Sequence, residues 1–188
     1  MSAIRCFLAA DLPEEVKGDL ARLRLRLASR RVDLRWVAPG SMHLTLKFLG
    51  ELSPETFDAV ATALDPPLDT GGPLRLAPRG LSAFPTPRRA RVLWVGLEGD
   101  VAALARVALT LEARAEAAGV PREARPFRPH LTLGRAKSPG GAPGLADALA
   151  AEEGYAGPAF SISEIVLYES RLRPEGTLYI PRKTLPLT

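Results

Sequence analysis

One tetrapeptide occurs twice in this chain and limits its fold more than any other feature: His43-Leu44-Thr45-Leu46 and His130-Leu131-Thr132-Leu133, 87 residues apart. These contain the only two histidines of the sequence. By composition alone, the odds of Leu-Thr-Leu recurring after the second histidine are about one in a thousand. Each copy is therefore read as part of a long internal repeat, one per half, able to pack about a pseudo-twofold axis.

In a β-strand, residues i and i+2 share a face and lie about 7 Å apart. Each histidine then stands beside its threonine, while the leucines turn to the core. Two such strands facing each other across the axis give a cleft two imidazoles and two hydroxyls. Imidazole titrates near neutrality, so one histidine can accept a proton while the other donates one. Phosphoryl chemistry uses that division: an attacking water loses a proton, a departing sugar oxygen gains one, and hydroxyls hydrogen-bond the non-bridging oxygens. A lone strand histidine is more often a satisfied structural side chain, and it is the repeat that favours a functional reading here.

The surrounding pattern supplies the fold class. Strands are expected at residues 3–11, 33–37, 43–49, 74–83, 91–97, 130–135, 159–168 and 177–183, the second and third lying around a Pro39-Gly40 turn. Helices are expected from Pro13 to about Arg30, at 53–64, at 100–118 with a stop at Gly119, and at 144–151. Most connections are too short for a purely parallel sheet, which predicts an α+β fold. No long linker divides the 188 residues, so the chain is expected to be one domain of two intertwined lobes sharing a cleft, with one motif per lobe.

Composition bounds the rest. At 46% hydrophobic and 24% charged the chain is globular, and every apolar run is broken too early to span a membrane. The single cysteine, Cys6, makes no internal disulfide, reads as a buried small hydrophobe, and suits a reducing cytoplasm. Net charge is +4, carried largely by arginine, whose planar fork grips phosphate, although a GC-rich genome gives the same bias. The absence of Asn and Gln, with 18 prolines, predicts a thermophilic source. Trp36 and Trp94 sit in apolar strand contexts and read as core.

The paired His-x-Thr strands resemble the 2H phosphoesterase superfamily. The stretch Arg5-Cys6-Phe7-Leu8-Ala9-Ala10-Asp11-Leu12-Pro13, then Trp36-Val37 leading to His43–Gly50, is similar to the branch of RNA 2′,3′-cyclic phosphodiesterases, formerly called 2′-5′ RNA ligases. Arg91-Val92-Leu93-Trp94, Arg125–Arg135 and Leu167–Leu172 follow in the order that branch shows. The resemblance implies a bilobal, pseudo-twofold fold with antiparallel sheets facing a central cleft and helices outside. It also implies hydrolysis of an RNA terminal 2′,3′-cyclic phosphate to a 2′-phosphomonoester without metal or other cofactor, and reversible 2′-5′ ligation in some members.

Carried onto this chain, the resemblance makes His43 the proton donor and His130 the proton acceptor, with Thr45 and Thr132 on the phosphate. Arg135 becomes the phosphate-side arginine, and Tyr168 and Phe48 become candidates to stack on the terminal base. Core packing is an equal reading for Phe48. Arg88, Arg89, Arg125 and Arg128 are read as a basic lip tracking the RNA backbone. The expected partner is RNA with a cyclic phosphate end, such as tRNA fragments, acted on by a cytoplasmic monomer without membrane contact. The alternative is an RNA or nucleotide binding module of the same fold without turnover. A metal phosphodiesterase would need more ligands than two histidines on separate strands.

Overall fold

The computed structural model describes residues 3–30, 32–138, 141–174 and 176–188. Its elements are β1 (Ile4–Asp11), α1 (Glu14–Ala28), β2 (Leu34–Trp36), β3 (His43–Leu52), α2 (Pro54–Ala63), β4 (Leu74–Phe84), β5 (Val92–Gly99), α3 (Val101–Ala117), β6 (His130–Ala136), α4 (Leu145–Ala150), β7 (Phe160–Ile162), β8 (Glu164–Arg173) and β9 (Gly176–Pro186).

Local chemistry accounts for the helices. In α1, Val16, Leu20, Leu23 and Leu27 recur every three or four residues and all four are buried. Pro13 precedes it, and Glu14 and Glu15 lie where the helix dipole favours anions. Ser53 caps α2, its Oγ accepting the Thr56 N–H at 3.2 Å. The α3 helix stops where Gly119 adopts φ 90°, and the Val120 N–H donates back to the Ala115 carbonyl at 2.9 Å.

The strands form one antiparallel path, β7-β4-β5-β6-β3-β1-β8-β9, with β2 added against β6. The α+β class expected from the sequence is the one adopted. The two expected sheets are, however, joined: β3 meets β6 at the single register pair Leu44–Leu131. These are the same residue of the two repeat copies, so the local twofold passes between them. Around it, β1-α1-β3 repeats as β5-α3-β6, and the buried leucines 44, 46, 131 and 133 point away from the histidines into a core shared with α1 and α3. Burying each such leucine contributes about 1.5–3 kcal/mol.

The β2 strand pairs with β6 in the register Leu34–Ala136, Arg35–Arg135, Trp36–Gly134. One local expectation is corrected: the strand expected at 159–168 is two strands. At Ser163 the chain leaves β4, the partner of β7, and crosses to β1, the partner of β8. The β8 strand then runs on to Arg173, where charged residues hide it from a hydrophobic pattern. Its ladder to β9 holds that end instead, with buried Glu169 accepting from Arg171 and, at 2.9 Å, from Arg182.

Candidate active site

The face of β3 and β6 opposite the leucines floors a cleft of about 2150 Å³ that His43, Thr45, His130, Thr132, Arg135 and Phe48 all line. The twofold at Leu44–Leu131 relates the two histidines, placing them at diagonal positions. In a regular antiparallel ladder such neighbours stand about 7–8 Å apart.

Both imidazoles are fixed by the same backbone device. His43 Nδ1 lies 2.9 Å from the Ser41 carbonyl, and His130 Nδ1 lies 2.6 Å from the Arg128 carbonyl. A carbonyl only accepts, so each Nδ1 carries a proton and each Nε2 is left to the cleft. The bonded carbonyl is in each case two residues upstream, so the repeat preserves the anchor as well as the histidine.

Aromatic rings wall the pair. Phe7 stacks on His43 at 4.8 Å between centroids and Tyr179 meets it edge-on at 5.2 Å. On the other side Phe84 meets His130 edge-on at 5.2 Å, and Trp94 stacks on Phe84 at 4.9 Å. Burial among these rings is the main reason both histidines titrate below their ordinary value of 6.5. Their hydrogen bonds to carbonyls oppose the shift, and the Arg135 charge reinforces it in both. Asp11, the register partner of His43, pulls that histidine alone back toward the imidazolium.

Arg135 reaches the cleft through a β-bulge. Trp94 pairs with Thr132 and Leu93 with Gly134, leaving Leu133 as the extra residue. Strict alternation from His130 would keep Thr132 and Gly134 on the cleft face and turn Arg135 to the core. The bulge reverses this. The same irregularity recurs in β3, where Ala9 pairs with Thr45 and Leu8 with Lys47, leaving Leu46 extra. Phe48 is thereby the repeat counterpart of Arg135, 59% exposed at the opposite end of the floor. The two ends differ accordingly, one cationic and one aromatic.

Tyr168 is not brought to the cleft floor. Its pairing with Phe7 places it one strand farther from β3, where its ring stacks behind Phe7 at 5.5 Å. Burial and the Asp11 carboxylate push its hydroxyl up to about 12. Tyr179 lines the cleft in its place. Trp94, read as core, is instead half-buried beside His130, whereas Trp36 does pack on the core. Cys6 is buried, its thiol pushed up to about 12 chiefly by that burial. Of the basic lip, Arg89, Arg125 and Arg128 line the cleft, Arg125 facing Glu123 at 3.5 Å. The Arg88 side chain lies outside the described residues. Phe7, Phe84 and Tyr179 are the site residues that motif spacing did not single out.

The family described as LigT-like phosphoesterase matches this sequence twice, at residues 10–94 and 95–179, once per repeat. The RNA 2′,3′-cyclic phosphodiesterase of Methanothermobacter thermautotrophicus is 30% identical over 176 residues, covering 94% of this chain and 95% of that protein. The protein of the same name from Escherichia coli K12 is 30% identical over 184 residues, covering 98% and 97%. The crystal structure of E. coli LigT complexed with 3′-AMP superposes with a TM-score of 0.77 at 29% identity, covering 99% of each chain.

Proposed function

Because the chain belongs to the LigT-like phosphoesterase family, we propose that it hydrolyses the terminal 2′,3′-cyclic phosphate of RNA to a 2′-phosphomonoester. The observation that carries this reading is the dyad-related pair of imidazoles, each locked at Nδ1 and presenting Nε2 to one cleft. The names of the relatives and the bound 3′-AMP of the E. coli structure support the substrate class.

In the proposed step, His130 Nε2 takes a proton from water as the water oxygen bonds to phosphorus. The bond from phosphorus to O3′ breaks, and His43 Nε2–H delivers its proton to the departing O3′. The product keeps phosphate on O2′ with a free 3′-hydroxyl, and solvent returns the two imidazoles to their starting states. Asp11 beside His43 supports the donor role there, since its carboxylate favours the cation against the opposing charges of Arg135 and Lys17, whereas at His130 the charge of Arg135 acts without such a carboxylate among the described residues. Thr45 and Thr132 donate hydrogen bonds to the non-bridging oxygens, and Arg135 holds them by a charge-assisted fork. Phe48 offers its exposed ring to the terminal base.

A 5′-hydroxyl RNA end replacing water at the same phosphorus would join two ends through a 2′-5′ bond. The reaction as written assigns every proton to a residue of this chain and requires no metal or other cofactor. One domain of two lobes, working as a monomer in the cytoplasm of a thermophile, completes the reading. The test is incubation with a cyclic-phosphate RNA in the presence of chelator. Turnover that depends on both histidines supports the proposal, and turnover that ceases in chelator contradicts its metal-independent form.

A further inference from the structure

Two strands, β2 and β6, and the residue just before β5 bring arginines together at the cationic end of the cleft, and the reaction above uses only one of them. Arg35 on β2 is the register partner of Arg135 on β6, so two like charges stand directly across a ladder, an arrangement that destabilises a sheet unless something compensates. Val92 of β5 pairs with Arg135 from the other side, and the adjacent Arg91 is held there by its own carbonyl, which accepts the Ala136 N–H at 2.9 Å. Arg35, Arg91 and Arg135 all line the same cleft. Among the described residues, no carboxylate lies within 4.0 Å of any of the three. Nearby Asp33 is engaged by Lys137 at 2.7 Å.

The strand that creates this cluster belongs to one half only. The repeat counterpart of Arg35 is Arg122, which lies in a loop and pairs with Glu116 at 2.6 Å. Buried Leu34 anchors β2, and Gly134 lets it approach: a Cβ there would lie 3.3 Å from the Arg35 carbonyl oxygen. Arg35, as the register partner of Arg135, presents its side chain on the same face of the sheet, and Arg91 lines the same cleft.

We propose that Arg35 and Arg91 form a second anion subsite that binds a further phosphodiester of the RNA chain, so that the enzyme selects oligonucleotides over mononucleoside cyclic phosphates. This rests on the hydrolase reading. Without a bound phosphodiester, the described residues place no carboxylate within 4.0 Å of the two guanidinium groups beside Arg135. With one, each gains a charge-assisted bond of a kind that changes affinity by about tenfold.

The experiment compares kcat/KM for adenosine 2′,3′-cyclic phosphate and for a short oligoribonucleotide ending in the same group, using the unsubstituted protein and Arg35→Ala, Arg91→Ala and double variants. The expected result is a preference for the oligomer that falls about tenfold per substitution, with the mononucleotide rate unchanged within about twofold. No preference in the unsubstituted protein, or equal slowing of both substrates, overturns the subsite. If the unsubstituted protein hydrolyses neither substrate, it is the hydrolase reading that fails. Oligomer binding against salt then tests the subsite alone: the slope is expected to fall by about 0.7 for each phosphate released in the double variant, and an unchanged slope overturns the proposal.

Discussion

Leu44 lies opposite Leu131 in the single pairing that joins β3 to β6, and the two are the same residue of the two repeat copies. Everything symmetric about the site follows from that pair. Its neighbours His43 and His130 leave the sheet on the other face, each with its ring tied to a carbonyl two residues upstream.

His43→Ala and His130→Ala are each expected to lower kcat by about 10²–10⁴-fold, the range for a general acid or base. Binding of the substrate should survive, since Arg135, Phe48 and both threonines remain. Kinetics combined with a binding measurement on each variant checks this. Loss of affinity with kcat intact would assign the histidines to binding.

The pH dependence follows from the direction of the histidine shifts. Both free-enzyme values lie below 6.5, mainly through burial. One imidazole must be protonated and the other not, so kcat/KM should be bell-shaped with its maximum on the acid side of 6.5. Arg135 lowers both values, so Arg135→Ala should move both limbs to higher pH while cutting kcat/KM by about tenfold or more. A profile that stays in place in this variant would contradict the position assigned to Arg135.

Much of this arrangement is legible in the sequence, because a repeated tetrapeptide encodes both the chemistry and the symmetry. His43 and His130 share a cleft because Leu44 and Leu131 need a core. The asymmetry is less legible. Nothing in the spacing of Arg135 announces the bulge at Leu133 that turns it to the cleft, and only cross-strand register shows that Phe48 is its counterpart. Tyr168 reads as a stacking candidate because it is aromatic, and only its pairing with Phe7 shows that it stands one strand away from the cleft floor. The end of β8 is hidden from a hydrophobic pattern because Glu169, Arg171 and Arg173 carry charge where the ladder to β9 supplies the order.

An ion pair between β3 and α3 at the edge of the cleft allows a test of stability. Lys47, 4% exposed, donates to Glu112 of α3 at 2.6 Å, and the same carboxylate accepts the Glu123 N–H at 2.9 Å. Lys47→Met alone leaves the half-buried Glu112 carboxylate without its charge partner and is expected to cost about 1–3 kcal/mol. Lys47→Met with Glu112→Leu should recover part of the loss. Denaturant unfolding of the single and double variants reads this directly, and a double variant no more stable than the single one would sink it.

Composition sets a thermal expectation. With no Asn or Gln and 18 prolines, the chain should unfold above about 65 °C, the upper end for mesophile domains. A calorimetric midpoint well below that would remove the thermophilic reading and leave the site chemistry untouched.

The most direct measurement is to incubate the purified protein with a short RNA ending in a 2′,3′-cyclic phosphate, with chelator present, and to identify which hydroxyl of the product carries the phosphate. A 2′-phosphomonoester that forms in chelator and is lost in both His43→Ala and His130→Ala is the expected result. A 3′-phosphomonoester, an unchanged end, or a product still formed at full rate without either histidine would contradict the two-histidine account.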